Sequence, residues 1–175
     1  MAALAEASEA SIDPNAEASV DPTAEASVDP NAALKEKLNG KWVISYQEGL
    51  DAFYRDARKM GWIQRKVLCV TTGVSVEFAF GPEETCTFTM SFVVKSGTAE
   101  YTLGTPVVVE EKGEKVETVL KIEGDAVVFS KTFGEGDTVD DFFTLEEEAG
   151  GGLELVCRKK HTSGATAVRK FKKAA

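Results

Sequence analysis

The sequence predicts an all-β domain: a ten-stranded antiparallel up-and-down β-barrel with a helix-turn-helix lid, preceded by a disordered N-terminal tail. Three observations lead there. Ten short segments alternate apolar and polar residues and are separated by Gly-rich turns at even spacing. Between the first and second of them, two segments change to a helical period. Ahead of them all, residues 1–33 carry seven acids and neither Lys nor Arg. Regular hairpins of this kind indicate a barrel or a sandwich, and ten strands favour the barrel, because an immunoglobulin-type sandwich needs fewer.

The tail contains an octad in three copies between residues 8 and 31, each ending in Asp-Pro-Asn or Asp-Pro-Thr. Asp-Pro favours a turn and interrupts a helix. Ile12, Val20 and Val28 are the only sizeable apolar side chains in the repeats. They cannot offset the entropy of ordering the segment, so disorder is expected for 1–33 and a globular domain for 34–175.

The domain opens with one or two helical turns over Ala32–Leu38, then Gly40-Lys41-Trp42 at the mouth of a strand over Lys41–Tyr46. Gly permits the tight entry and Trp plugs a core. From Gly49 to Lys59 the period becomes helical, with Leu50, Phe53, Tyr54 and Ala57 at i, i+3, i+4 and i+7. Gly61 breaks that pattern, and Trp62–Cys69 forms a second short helix. Nine further strands follow. The first two are Val74–Phe80, where Val74, Val76, Phe78 and Phe80 alternate with polar or small residues, and Thr85–Phe92. The others are Thr98–Leu103, Pro106–Glu110, Lys115–Ile122, Ala126–Phe133, Thr138–Glu146, Leu153–Lys160 and Thr166–Lys172. A barrel of ten strands is wider than side chains alone fill, and helices after the first strand sit across one end. The expected object is a lidded cup for a small hydrophobic ligand.

Composition narrows the function. The chain has 175 residues, is 43% hydrophobic and has a net charge of −9. The seven tail acids account for most of this charge, leaving 22 acids and 20 bases, so no basic surface for nucleic acid is expected. Cys69, Cys86 and Cys157 are scattered and His161 is the only histidine, which argues against a zinc site, a disulfide framework or any cofactor. Buried free thiols in a reducing, cytoplasmic setting are expected. The N-terminus lacks the pattern of a signal peptide, Ala2 excludes myristoylation, and no stretch is long and apolar enough for a membrane span.

Read together, these residues resemble the intracellular lipid-binding proteins, the fatty-acid- and retinoid-binding members of the calycin superfamily. The resemblance covers about residues 38 to 173. Asn39-Gly40-Lys41-Trp42 is similar to the family's Gly-Thr/Lys-Trp opening, and Ser45 to Ala57 to its first helix. Gly61-Trp62-Ile63-Gln64-Arg65-Lys66 resembles the Gly-x-x-x-Arg-Lys of its second helix. Tyr101-Thr102-Leu103-Gly104, Lys131-Thr132-Phe133 and the closing Ala167-Val168-Arg169-Lys170-Phe171 are similar to later family motifs. What the resemblance implies is a β-clam binding a long-chain fatty acid or similar hydrophobic ligand without catalysis. A monomer is expected. The family holds its carboxylate with an Arg and a Tyr on the last strand and a second Arg two strands earlier. Arg169 matches the first, Phe171 stands at the Tyr position, and the second Arg falls near Phe142, so one anchor of three is kept. Leu50, Tyr54, Met60 and Trp62 are candidates for the portal. In the family, basic lid residues meet anionic membranes, which here implies Arg58, Lys59, Arg65 and Lys66.

Arg169 shares a strand face with Ala167 and Phe171. If that face is inward, its charge needs an anion or a network of acceptors. The alternatives are a structural pair with an inward acid, or a solvated position. Asp140 and Asp141 lie on opposite faces of one strand and cannot converge on a substrate. No nucleophile with its base is visible, so an enzyme is not expected. The alternative function is a ligand-free interaction module in which the tail or barrel surface docks a protein. Lipocalins and the secreted heat-soluble proteins of desiccation-tolerant animals share parts of this outline, and the expected lack of a signal peptide argues against both.

Overall fold

A computed structural model describes residues 29–70, 72–93, 95–111, 113–134, 136–148 and 150–174. The expected disorder of residues 1–28 lies outside the described residues. Ten strands and three helices occur among the described residues. α1 (Ala32–Leu38) precedes β1 (Gly40–Glu48), and α2 (Leu50–Asp56) and α3 (Trp62–Leu68) follow it. Then come β2 (Ser75–Phe80), β3 (Thr85–Ser91), β4 (Ser96–Thr102), β5 (Pro106–Glu111), β6 (Glu114–Glu123), β7 (Ala126–Thr132), β8 (Thr138–Glu147), β9 (Leu153–His161) and β10 (Thr166–Lys173). All ten strands form one antiparallel sheet in the order β4-β3-β2-β1-β10-β9-β8-β7-β6-β5.

The first strand pairs with the last, as a barrel requires: Ile44 faces Phe171 and Gln47 faces Arg169. The seam lies between β4 and β5, where no ladder forms among the described residues. Beside it the Leu103 N–H donates to Glu84 O, extending the β3–β4 pairing, and the Gly104 N–H of the β4–β5 connection donates to Leu120 O of β6. The result is a nearly closed barrel.

Several expected boundaries shift, those of β1 and α2 for local reasons. β1 runs two residues past Tyr46, because Gln47 and Glu48 continue the ladder with β10 beyond a bulge between Ile44 and Tyr46. It stops at Gly49, whose φ of 73° places it in the left-handed region. A Cβ there would lie 3.2 Å from the Thr166 carbonyl oxygen, so a side chain is opposed twice over. α2 ends at Asp56 rather than reaching Lys59, which itself has φ 48°. The tail boundary expected at residue 33 falls inside α1, and Asp29 of the third octad already pairs with Lys35 Nζ at 2.7 Å.

The two ends of the barrel differ. At the α1 end, Leu38 and Trp42 are fully buried and the Trp42 indole N–H donates to Leu38 O at 2.8 Å. Phe78, Phe88, Phe129 and Phe143 fill the interior above them, with ring centroids as close as 4.6 Å. At the other end, Leu50 and Phe53 of α2 pack on Val116, Phe133, Val139 and Ala167. The helices therefore cap the barrel without filling it.

Candidate functional site

Between the aromatic layer and the helical cap lies a cavity of about 610 Å³, within the range of small-molecule sites. Tyr54, Met60, Val67 and Leu68 line it from the cap side, and Phe88, Met90, Phe92, Tyr101, Phe129 and Phe143 from the wall. Strand alternation puts these wall residues inward: β8 buries Val139, Asp141 and Phe143 and turns Asp140 and Phe142 the other way.

Arg169 reaches this cavity and is 1% exposed. One guanidinium nitrogen, Nη2, donates to Leu68 O, the last residue of α3, at 2.6 Å. The guanidinium also lies 5.8 Å from the centre of the Phe92 ring. Its Nε is buried without a partner. A buried guanidinium with an idle donor is costly unless an acceptor arrives, and its fork suits an oxyanion.

The position at which a second Arg would be sought is reversed in charge. Phe142 lies on the outer surface, in a shallow depression with Arg158 and Val168. The inward residue is Asp141, whose carboxylate accepts from Lys159 Nζ at 2.6 Å and pairs with Lys131 Nζ at 3.5 Å. Burial pushes the Asp141 carboxyl up, but the two ammonium groups outweigh it and hold the group below the usual carboxylate range. Burial likewise pulls Lys159 down and Asp141 more than restores it, so its pKa ends above the ordinary lysine value. Asp141 and Lys159 escape a reading by motif, and Lys131-Thr132-Phe133 gives no sign that Lys131 faces inward. Asp141 sits beside Asp140 in sequence, and Lys159 sits in the run Arg158-Lys159-Lys160, so only the register says which of them faces inward.

The remaining candidates separate. Tyr54 and Met60 line the cavity, and Arg58 and Lys59 stand at its edge. Leu50 is buried within the cap, and Phe171 is fully buried in the core toward α1, so neither touches the cavity. Trp62 is 64% exposed on the outside of α3, which buries none of its residues. Arg58 is committed to Glu114 at 3.0 Å and stacks over Phe133, and Arg65 to Asp51 at 3.0 Å and the Met60 carbonyl. Lys66 lies 5.9 Å from the Trp62 ring centre. All three cysteines are free; burial pushes the Cys86 and Cys157 thiols up to about 12, which makes them inert. No group of residues that could hold a metal occurs among the described residues, and no described helix is long and apolar enough to cross a membrane.

No family model and no curated protein sequence matches the chain. Solved structures do. Fatty-acid-binding protein 1 of Echinococcus granulosus superposes with a TM-score of 0.68 at 15% identity, covering 80% of this chain and 99% of its own. The fatty acid binding protein of Schistosoma mansoni, solved with arachidonic acid, gives 0.69 at 15% identity over 81% and 98%. A secretory abundant heat-soluble protein of Ramazzottius varieornatus gives 0.66 at 14% over 78% and 94%.

Proposed function

We propose, from the premise that this chain has the fold of the fatty-acid-binding-protein-like calycin barrels, that it is a non-enzymatic carrier for a long-chain fatty acid or similar amphiphile. The observation that carries this reading is Arg169: a buried guanidinium with an unpartnered Nε, aimed into an aromatic-walled cavity of about 610 Å³ under the cap. An alkyl chain would replace cavity water against Phe88, Phe129 and Phe143. Its acidic head group would accept from Arg169. Arg169 is in this reading the sole conventional anchor, because Phe171 supplies no hydroxyl and packs elsewhere. The cavity also favours a carrier over a ligand-free interaction module, whose barrel would have a filled interior.

The carrier acts as a monomer in the cytoplasm, a setting in which its three free thiols remain reduced. It exchanges ligand at anionic membranes through α3, where Trp62, Ile63 and Val67 are exposed beside Lys66.

Displacement of a fluorescent fatty acid tests the reading. Oleate should compete with the probe, and Arg169→Ala should weaken oleate about tenfold, the loss of one charge-assisted contact. Absence of displacement by any long-chain lipid, with Arg169→Ala behaving as wild type, removes the carrier.

A further inference from the structure

The cationic groups of the cavity outnumber what one carboxylate needs. Arg169 on β10, Lys159 on β9, Asp141 on β8 and Lys131 on β7 all face its wall. Asp141 stands directly opposite Lys159 in the β8–β9 register. Arg169 stands opposite Cys157, two residues from Lys159 on the same face, which makes Arg169 and Lys159 diagonal neighbours. Asp141 is the one acid of this group, and it is engaged by Lys159 and Lys131. The enclosed charges of this wall are thus three basic side chains, Arg169, Lys159 and Lys131, against one acid, whereas Lys59, Lys95, Glu110 and Glu114 of the lining are exposed. Inside an apolar wall an excess of fixed positive charge is matched better by a ligand of two negative charges than of one. The idle Arg169 Nε and the guanidinium's planar fork suit a tetrahedral oxyanion as well as a carboxylate.

We propose that the preferred ligand is a long-chain phosphate monoester, bound as its dianion between Arg169 and the Lys159–Asp141–Lys131 group, in preference to a fatty acid of the same length. This rests on the carrier reading and specifies its ligand class. The phosphate chemistry alone also fits free inorganic phosphate, but the aromatic layer of Phe88, Phe129 and Phe143 beside the charged wall favours a phosphate that carries an alkyl chain.

The test is competition for a fluorescent fatty acid on the full-length protein by hexadecyl phosphate, hexadecanoate and inorganic phosphate, at pH 7.5 and pH 5. Hexadecyl phosphate should bind at least about tenfold tighter than hexadecanoate at pH 7.5, reflecting the second charge. That advantage should fall to about twofold at pH 5, below the second ionisation of the phosphate near pH ~6. Arg169→Gln and Lys131→Gln should each narrow the ratio. If either variant fails to fold by circular dichroism, the wild-type ratio and its pH dependence still decide. Equal affinities at pH 7.5, or a ratio insensitive to pH, overturn the phosphate preference and leave the carrier standing. Inorganic phosphate competing as well as hexadecyl phosphate overturns it too, because the chain then contributes nothing. Failure of both lipids removes the carrier itself.

Discussion

At position 141 a carboxylate is buried at 2% exposure, where only its lysine partners make it tolerable. Its folded pKa is depressed below the ordinary 3.8 despite burial. The stabilisation it contributes is therefore present above pH 3.8 and is lost as the pH falls through the folded value. Lys159, raised above 10.5, contributes below that pH and loses its contribution above it. Asp141→Asn should cost about 3 kcal/mol at pH 7, since it leaves Lys159 buried beside a neutral amide. In urea unfolding the gap between variant and wild type should close as the pH drops below 3.8. A variant as stable as wild type at pH 7 would show that the pair contributes nothing. Legibility at this scale was uneven. Trp42 could be read from Gly-x-Trp as an apolar plug, whereas Arg169 could be placed on one strand face with Ala167 and Phe171 but not as inward, because a charge there also fits a structural pair or a solvated position. Asp141 could be placed opposite in face to Asp140 but not recognised as inward. Inward or outward is a property of β8 against β9, and runs of charge on both strands hide it.

Among the elements, the strands were legible almost to the residue, because alternation is a direct consequence of a half-buried pleat. The helices were legible as helices, and so was the buried face of α2, but not that of α3. α2 buries Leu50 and Phe53 as its spacing requires, whereas α3 buries none of its residues: Trp62 and Ile63 are exposed, and the half-exposed Val67 also borders the cavity. The basic residues of the cap divide in the same way. Arg58 and Arg65 hold the cap together through Glu114 and Asp51, while Lys66 stands beside the apolar patch. Lys66→Glu should therefore weaken binding to phosphatidylserine vesicles by about 2 kcal/mol, two charges' worth at roughly 1 kcal/mol each near an anionic surface, at little cost in stability. Ile63→Ser should weaken it through lost insertion. Arg58→Glu should instead lower the urea midpoint. Sedimentation with vesicles alongside urea titration separates the two classes. Equal vesicle binding by wild type and Lys66→Glu would remove α3 from the membrane surface.

For the molecule as a whole, the barrel has a filled end and a hollow end, and ligand should act on them unequally. Toward α1, Trp42, Leu38 and Phe171 are packed and fully buried, so nothing there waits for a partner. Toward the cap, α3 buries no side chain of its own, and its last carbonyl is held by Arg169, the group proposed to receive the head group. Among the described residues no ladder joins β4 and β5, both of which contribute to the cavity wall. A ligand present at about 100 times its dissociation constant should stabilise the folded state by about 2.7 kcal/mol through mass action. Local opening draws first on the least packed elements, so the protection should be local before it is global. In hydrogen exchange, saturating lipid should slow the amides of α2, α3, β4 and β5 about tenfold or more. β1 and β10 near Trp42, already protected by packing, should not change at exchange times too short for global unfolding. Uniform slowing across the barrel would mean that the hollow end is already as rigid as the filled one. Slowing confined to β1 and β10 would place the ligand somewhere other than the cavity beneath the cap.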